Sequence, residues 1–183
     1  GANYWWRPNS GPTPTALGAI GTGPSADHTT GSGKYLHGEA QIGTGVALLR
    51  SPNVMLAGLL NPELRFYYHQ FGPQIDSLVV KIFRNGTETR VWGNSQQTSA
   101  ATAPWTEAVV SLASFLPDTV QVRWYAYRSP SNQNRVDVAI DDVSIDNPPA
   151  CAKPTNLTVT ATAQTSGTMT WNPTGPGTYE VMY

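Results

Sequence analysis

The 183-residue chain contains a single cysteine, Cys151. One cysteine excludes an internal disulfide and any zinc site built from several thiolates. Charged residues are also scarce, at 13% of the chain, whereas about a quarter is usual for globular proteins. Because Glu, Lys and Arg form the wet faces of amphipathic helices, their scarcity disfavours a helical architecture.

An excess of positive charge is missing as well. The formal net charge is −1, which provides no overall positive field of the kind that nucleic-acid binding requires. No apolar run approaches the roughly 20 residues that a membrane-spanning helix needs. We therefore expect neither nucleic-acid binding nor membrane insertion.

Glycine and proline are abundant, with 17 Gly and 15 Pro, and Thr, Ser and Asn replace much of the missing charge. This mixture favours short strands joined by many turns. It also suits an extracellular surface, so we expect a secreted or cell-surface protein.

Short runs with alternating apolar residues recur from Val46 onwards and predict a series of β-strands. The first run, Val46–Leu49, ends at Ser51-Pro52. The other predicted strands are Glu63–Gln70, Ser77–Arg84, Thr87–Trp92, Trp105–Leu112, Thr119–Tyr127 and Arg135–Ile145. Asn85-Gly86 separates two of them and predicts a two-residue hairpin, because both turn positions need a positive φ.

The strand Arg135–Ile145 carries apolar residues of both parities. Val138 and Ile140 share one parity, whereas Val143 and Ile145 share the other. A regular strand cannot bury both sets on one face, so the pattern predicts a β-bulge at Asp141-Asp142.

The residues from Asn3 to Thr30 are rich in Gly, Pro, Thr and Ser and show no periodicity. They predict a long loop. Because Tyr4, Trp5 and Trp6 would be costly to expose to water, we expect this loop to be ordered and packed on the domain.

A break in the strand pattern at Asp146-Asn147-Pro148-Pro149 predicts an interdomain linker. We assign residues 1–147 to a first domain, 148–155 to the linker and 156–183 to the start of a second domain. Its predicted strands are Asn156–Thr162, Gly167–Trp171 and Thr178–Tyr183. Three strands cannot enclose a core, so we expect the chain to end inside this second domain.

Common catalytic motifs are absent. The sequence has no G-x-S-x-G, no H-E-x-x-H, no phosphate-binding loop and no glycine-rich nucleotide motif. We therefore expect a protein that is not an enzyme.

Seven segments, taken in order, resemble the MAM family (meprin/A5/receptor phosphatase mu) of extracellular adhesion domains. They are Gly23–Thr30, Gly33–Leu36 with Glu39-Ala40, Leu48–Pro52, Leu64–His69, Ser77–Val80, Trp105–Val110 and Val138–Ile145. The segments Lys153–Val159, Met169–Trp171 and Tyr179–Val181 similarly resemble the first strands of a fibronectin type III module.

The MAM resemblance implies a jelly-roll β-sandwich of two antiparallel sheets, followed here by the first strands of an immunoglobulin-like sandwich. It also implies a non-catalytic adhesion or protein-interaction role within a longer multidomain chain. The family's first strand and its paired cysteines have no counterpart here. We therefore expect the first strand to be missing and the domain to be of a bacterial type.

Some MAM domains bind a structural Ca²⁺, which takes six to eight oxygen ligands. Asp27 lies in a Gly- and Ser-rich loop, and Asp141 and Asp142 lie at the predicted bulge. With Glu39 as a weaker candidate, these carboxylates are the predicted ligands. The alternative is that one carboxylate caps a turn and another faces water.

Two rows of basic and aromatic residues are candidate ligand-binding surfaces. The rows are Arg65, Tyr67 and His69, and Arg123, Tyr125 and Tyr127. Tyrosine and arginine can stack on sugar rings and bind hydroxyl groups, but the same rows also occur as packing beneath a long loop. The predicted partner is accordingly a cell-surface or matrix protein, or a glycan. The alternative function is a carbohydrate-binding accessory module of a secreted hydrolase.

Overall fold

The computed structural model describes residues 4–13, 22–40, 43–73, 75–131, 137–148, 155–163 and 166–172. The chain divides into two compact units, Gly1–Asp146 and Asn147–Tyr183. The described residues of the first unit form strands β1 (Tyr4–Asn9), β2 (Tyr35–Ala40), β3 (Gly43–Met55), β4 (Glu63–Gln70), β5 (Ile75–Arg84), β6 (Thr87–Asn94), β7 (Thr106–Ser111), β8 (Thr119–Ser131) and β9 (Asp137–Asp146), with a 3-10 turn at Ala113–Phe115. In the described residues, no helix has the length and apolar character to cross a membrane.

The first unit is a jelly-roll sandwich of two antiparallel sheets, as predicted. One sheet has five strands in the order β1-β2-β9-β4-β7, and the other has four in the order β3-β8-β5-β6. Every strand pair is antiparallel. Few neighbouring strands are consecutive in sequence, so most contacts join distant parts of the chain.

The core lies between the two sheets and follows the period-2 alternation. Leu64 and Phe66 of β4 face Val122 and Trp124 of β8, and each of these side chains is at most 2% exposed. The Phe66 ring meets the Trp124 ring edge-on, with 6.1 Å between their centroids. Trp92 of β6 packs edge-on against the same phenylalanine at 5.2 Å.

Two local predictions are confirmed. Asn85 and Gly86 form a two-residue turn with φ of 50° and 82°, and Arg84 pairs with Thr87 across it. The bulge in β9 is also present. Arg65 pairs with Ser144 and Tyr67 with Asp141, so β9 carries one more residue than β4 over this stretch.

The bulge places Asp142 at φ 46°. It brings only one of the two apolar residues that follow, Val143 and Ile145, to the core. Ile145 packs against the core, but Val143 remains 45% exposed. The expectation that both share the buried face is therefore only half correct, because Val143 belongs to the bulge itself.

Two other predictions need correction. Residues 4–9 form β1, an edge strand paired with β2, rather than part of a loop. Trp6 donates from Nε1 to the Ala47 carbonyl at 3.1 Å and packs against the core. The predicted strand end at Ser51-Pro52 is also wrong, because β3 continues to Met55. Pro52 lies where the register of β3 against β8 shifts, between Arg50 and Asn53. A proline is tolerated there because β3 is an edge strand and the shift leaves no ladder hydrogen bond to lose.

Two segments without regular secondary structure, residues 22–34 and 95–105, lie against each other and against the end of β4. We call them the covering loops. Ser25 N donates to the Ala101 carbonyl at 3.0 Å, and Thr98 N donates to the Gln70 carbonyl at 2.6 Å. These bonds fix the loops over the outer face of the five-stranded sheet.

The second unit contains a two-stranded antiparallel sheet of β10 (Thr155–Ala163) and β11 (Ser166–Asn172). These strands coincide with two of the three predicted there. The third, at 178–183, and Cys151 lie outside the described residues.

Candidate functional surfaces

Asp27 organises the first covering loop. Its Oδ2 accepts hydrogen bonds from the backbone N and the hydroxyl of Thr30, each at 2.9 Å, and its Oδ1 accepts one from Gly33 N at 2.7 Å. The hydrogen bond from the Thr30 backbone N–H is the main reason that the pKa of Asp27 is lowered. The side chain thus acts as a turn cap.

The two carboxylates at the β9 bulge hold the same loop. His28 N donates to Asp141 Oδ2 at 2.9 Å, and His28 Nδ1 lies 2.7 Å from Asp142 Oδ2. The Thr29 hydroxyl also donates to Asp142. Burial raises the pKa of Asp141, whereas the Thr29 hydroxyl is the main cause of the lowered pKa of Asp142. The bulge therefore aims one carboxylate at the loop backbone and the other at its side chains.

The structure brings Asp27, Asp141 and Asp142 into one region but does not arrange them as calcium ligands. Their oxygens already accept hydrogen bonds from protein donors, and no three acidic, His or Cys groups among the described residues are placed to hold a metal ion. The side chain of Glu39 is outside the described part of the structure. The described carboxylates do not fit a calcium site, and calcium binding stays a prediction.

Thermal unfolding with Ca²⁺ and with a chelator tests that prediction. A site that includes Asp141 is expected to raise the melting temperature in Ca²⁺, because binding to the folded state alone stabilises it. The rise should be absent in Asp141→Asn. Equal melting temperatures of the wild-type chain in both buffers would rule out calcium binding in the tested concentration range.

The first predicted ligand row is partly covered by the first covering loop. Tyr67 stacks on the His28 ring, with 3.5 Å between centroids. Arg65 is paired with Glu63 Oε2 at 2.6 Å and with Glu107 Oε1 at 3.0 Å. His69 is 0% exposed, so a ligand on the surface does not reach it in this arrangement. The covering loops bury His69 and lie against Tyr67, whereas Arg65 remains 33% exposed.

His69 lies 5.7 Å from the Trp105 ring, and Trp105 Nε1 donates to the Ala26 carbonyl at 3.2 Å. Burial lowers the pKa of His69 to about 4, because a charged imidazole would lose its water. The nearby carbonyls of Ala100 and Ala103 oppose this shift, although neither completes a well-directed hydrogen bond to the ring. The imidazole is therefore neutral at physiological pH.

The sequence did not predict the buried polar pair of Asp137 and His37, which are 3% and 1% exposed. Asp137 Oδ1 lies 3.4 Å from His37 Nδ1, and Asp137 Oδ2 accepts a hydrogen bond from the Thr22 hydroxyl at 2.5 Å. These residues are about a hundred positions apart in sequence. No local pattern reveals such a pair, because only the pairing of β2 with β9 brings it together.

The second predicted row lies on the outer face of the four-stranded sheet, which we call the open face. Arg123 Nη1 donates to Glu88 Oε1 at 2.6 Å, and the Tyr125 hydroxyl donates to the same oxygen. Lys81 Nζ donates to Glu88 Oε2 at 3.3 Å. These hydrogen bonds, led by that of Tyr125, lower the pKa of Glu88 to about 2. The carboxylate is therefore ionised and fixed.

Aromatic contacts hold the cations of the open face in position. Lys81 Nζ lies 4.5 Å from the centre of the Tyr125 ring, and the Arg123 guanidinium lies 3.7 Å from that of Phe83. The rings of Tyr125 and Tyr127 are nearly parallel, with 6.1 Å between centroids and 14° between planes. The row is thus an ordered, partly exposed surface of rings and cations.

Two solved structures show weak similarity to the chain. A carbohydrate-binding module of Caldicellulosiruptor saccharolyticus, in complex with mannohexaose, is 9% identical with a TM-score of 0.44; the match covers 69% of this chain and 81% of that one. An arabinose-bound α-L-arabinofuranosidase is 16% identical with a TM-score of 0.43 over 77% of this chain and 23% of that one. Similarity at this level says nothing about the ligand of this chain.

Sequence comparison gives a firmer result. A family model of the MAM domain, meprin/A5/mu, matches residues 2–152. MAM domain-containing protein 2 of Mus musculus is 33% identical over 153 residues, which cover 80% of this chain and 20% of that protein. Thyroid hormone-induced protein B of Xenopus laevis is 31% identical over 150 residues, covering 79% and 20%. The chain spans about a fifth of the length of these relatives, and it belongs to the MAM domain family.

Proposed function

We propose that the chain is a non-catalytic extracellular module that mediates adhesion or protein interaction within a larger secreted or cell-surface protein. The family match over residues 2–152 carries the proposal. MAM domains are protein-interaction and adhesion modules, and the proteins that contain them are typically extracellular or on the cell surface.

The open face supports a binding role and indicates where a partner docks. The covering loops close the outer face of the five-stranded sheet around His69 and Tyr67. On the open face, Arg123, Tyr125 and Tyr127 each keep part of the side chain in solvent, and Glu88 holds Arg123 and Tyr125 in place. Partly exposed tyrosine and arginine are the residues that most often dominate binding surfaces.

The environment of the acid–base groups supports a role without catalysis. His37 and His69 are both almost completely buried, and a general base must reach the proton that it removes. Asp27, Asp141 and Asp142 use their oxygens to hold the first covering loop. These groups stabilise the fold in the arrangement described here.

A carbohydrate-binding accessory module of a secreted hydrolase is the second candidate. The observation that favours it is the nearly parallel pair of Tyr125 and Tyr127 beside Arg123 on the open face. Aromatic side chains offer apolar area with a polar tip, which suits a sugar ring and its hydroxyl groups.

We also propose that residues 156–183 begin a fibronectin type III domain and that the MAM domain is of a bacterial type. The antiparallel hairpin of β10 and β11 supports the first point, since a fibronectin type III sandwich is built from antiparallel strands. The single cysteine supports the second.

Beads coated with the chain test the main proposal. We expect wild-type beads to adhere to cells, and we expect Tyr127→Ala on the open face to reduce the adhering fraction by roughly fivefold, as an exposed tyrosine contact does. Tyr67→Ala beneath the first covering loop is the matched control and should adhere like wild type. Adhesion no better than that of uncoated beads would contradict the proposal. Loss of adhesion after enzymatic removal of cell-surface glycans would favour the second candidate.

A further inference from the structure

Four basic side chains form a single row across the open face. Arg50 of β3 lies directly opposite Arg123 of β8, Arg123 lies opposite Lys81 of β5, and Lys81 lies opposite Arg90 of β6. Every strand of the sheet contributes one of them. Neighbouring strands are about 4.8 Å apart, so the backbone positions of this cationic row span about 14 Å.

Fold stability does not account for such a row. Like charges directly opposite each other on neighbouring strands are destabilising, and three such pairs follow one another here. Glu88 compensates only the two central cations, Arg123 and Lys81. The two outer arginines are exposed and make no ion pair with any residue in the described part of the chain. The row therefore displays uncompensated positive charge at both ends.

The two sheets also differ in charge. The strands of the four-stranded sheet contain six Arg and Lys residues and two acidic residues, whereas those of the five-stranded sheet contain two Arg residues and seven acidic residues. The net charge of −1 conceals this separation because it sums over both sheets. Four of the six basic residues belong to the cationic row, whereas Arg128 is buried and Arg84 pairs with Asp118. An approaching anion is therefore attracted to the open face by the cationic row itself.

Preorganisation is the third feature of the cationic row. Arg123 stacks on Phe83 and Lys81 on Tyr125, so their positions are fixed before a ligand arrives. Arg90 lies against Gly93, whose missing Cβ leaves room for the guanidinium. Each guanidinium still offers several N–H donors in a planar fork that matches carboxylate and sulfate groups.

We propose that the cationic row is a binding site for a linear acidic polysaccharide, which crosses the open face at right angles to the strands. This inference rests on the proposed extracellular binding function and names the ligand class. A polysaccharide with one carboxylate or sulfate group on most sugar units carries regularly spaced anions, and these match a row of cations that are spaced one strand apart. Tyr125, two residues from Arg123 on β8 and in contact with Lys81, provides ring surface for a sugar unit beside the row, and Tyr127 extends that surface in a nearly parallel orientation.

Binding of the full 183-residue chain to heparin, measured over a series of salt concentrations, tests the site. Wild type should bind at low salt, with an affinity that falls steeply as salt rises. The double variant Arg50→Gln/Arg90→Gln removes the two outer cations and leaves Glu88 and its partners intact. We expect it to bind roughly tenfold more weakly and the slope of log Kd against log salt to fall by about two.

Arg65→Gln is the matched control, since it removes one arginine from the outer face of the five-stranded sheet. It should leave both the affinity and the salt slope unchanged. A loss of binding free energy in Arg65→Gln that is half of that in the double variant or more would overturn the assignment, because one removed charge would then count as much on either face. So would heparin binding by the double variant that equals wild type, or the absence of binding by wild type at low salt.

Two further probes separate the chemistry of the ligand. Hyaluronan carries carboxylate groups only, so its binding would extend the site to unsulfated acidic polysaccharides. A DNA duplex that binds more tightly than heparin, with the same dependence on Arg50 and Arg90, would overturn the polysaccharide in favour of nucleic acid. Because bead adhesion is measured separately, adhesion without heparin binding would reject this site and leave the proposed function standing.

Discussion

Replacement of Gly23 by alanine is expected to destabilise the domain by about 2–4 kcal/mol, from left-handed backbone strain and overpacking together. Gly23 has φ of 70°, and its backbone N donates to the Phe71 carbonyl at 2.7 Å. A Cβ at this position would lie 2.7 Å from the Asp137 Cβ and from the Thr13 side chain. The buried pair of Asp137 and His37 would have to move to accept it.

Gly31→Ala is the matched control. Gly31 has φ of 74°, nearly that of Gly23, but a Cβ there would meet nothing within 4 Å. We expect the free energy of unfolding of this variant to fall by only about 1 kcal/mol, which is the cost of the left-handed backbone conformation without overpacking. Urea-induced unfolding measures both free energies, and equal losses would show that close packing around Asp137 does not contribute.

The strands and the hairpin could be predicted because their causes are local. The alternation in Glu63–Gln70 fixes which side chains face the core, and Asn85-Gly86 fixes a turn with two positive φ angles. The bulge in β9 could also be predicted, since the change of parity lies within one strand. These features depend on neighbouring residues, so one sequence is enough to find them.

Features that depend on strand order could not be predicted. The first covering loop is held by Asp141 and Asp142, more than a hundred residues away. Whether a row of basic and aromatic residues is open or closed depends on which sheet face the loops cover. Arg65, Tyr67 and His69 have the same pattern as Arg123, Tyr125 and Tyr127, yet His69 is buried beneath the loops, whereas every residue of the second row is partly exposed.

The cationic row illustrates the same limit. Arg50, Lys81, Arg90 and Arg123 are each unremarkable in sequence, separated by 31, 9 and 33 positions. Only the register of β3, β8, β5 and β6 places them directly opposite one another. A functional surface of this kind is a property of the sheet, and therefore appears only once the pairing is known.

Acidification from pH 6.5 to pH 4 is expected to remove about 3 kcal/mol of stability through His69 alone. The unfolded chain binds this proton near pH 6.5, whereas burial in the folded domain lowers the pKa of His69 to about 4. Protonation therefore favours the unfolded state. The contribution of the neutral imidazole is fully present above the unfolded pKa and is lost as pH falls through the folded one.

The free energy of unfolding, measured against pH for wild type and for His69→Gln, isolates this effect. His28 and His37 are present in both proteins, so the difference between the two curves reports on His69. Glu88 does not interfere, because its pKa is lowered from 4.5 to about 2 and its contribution is lost only below pH 4.5.

We expect the two curves to converge by about 3 kcal/mol as pH falls from 6.5 to 4. Should Gln at this position prevent folding, His69→Leu provides the same non-titrating comparison. Parallel curves would mean that the folded domain accepts the proton, and hence that the covering loops admit water to His69.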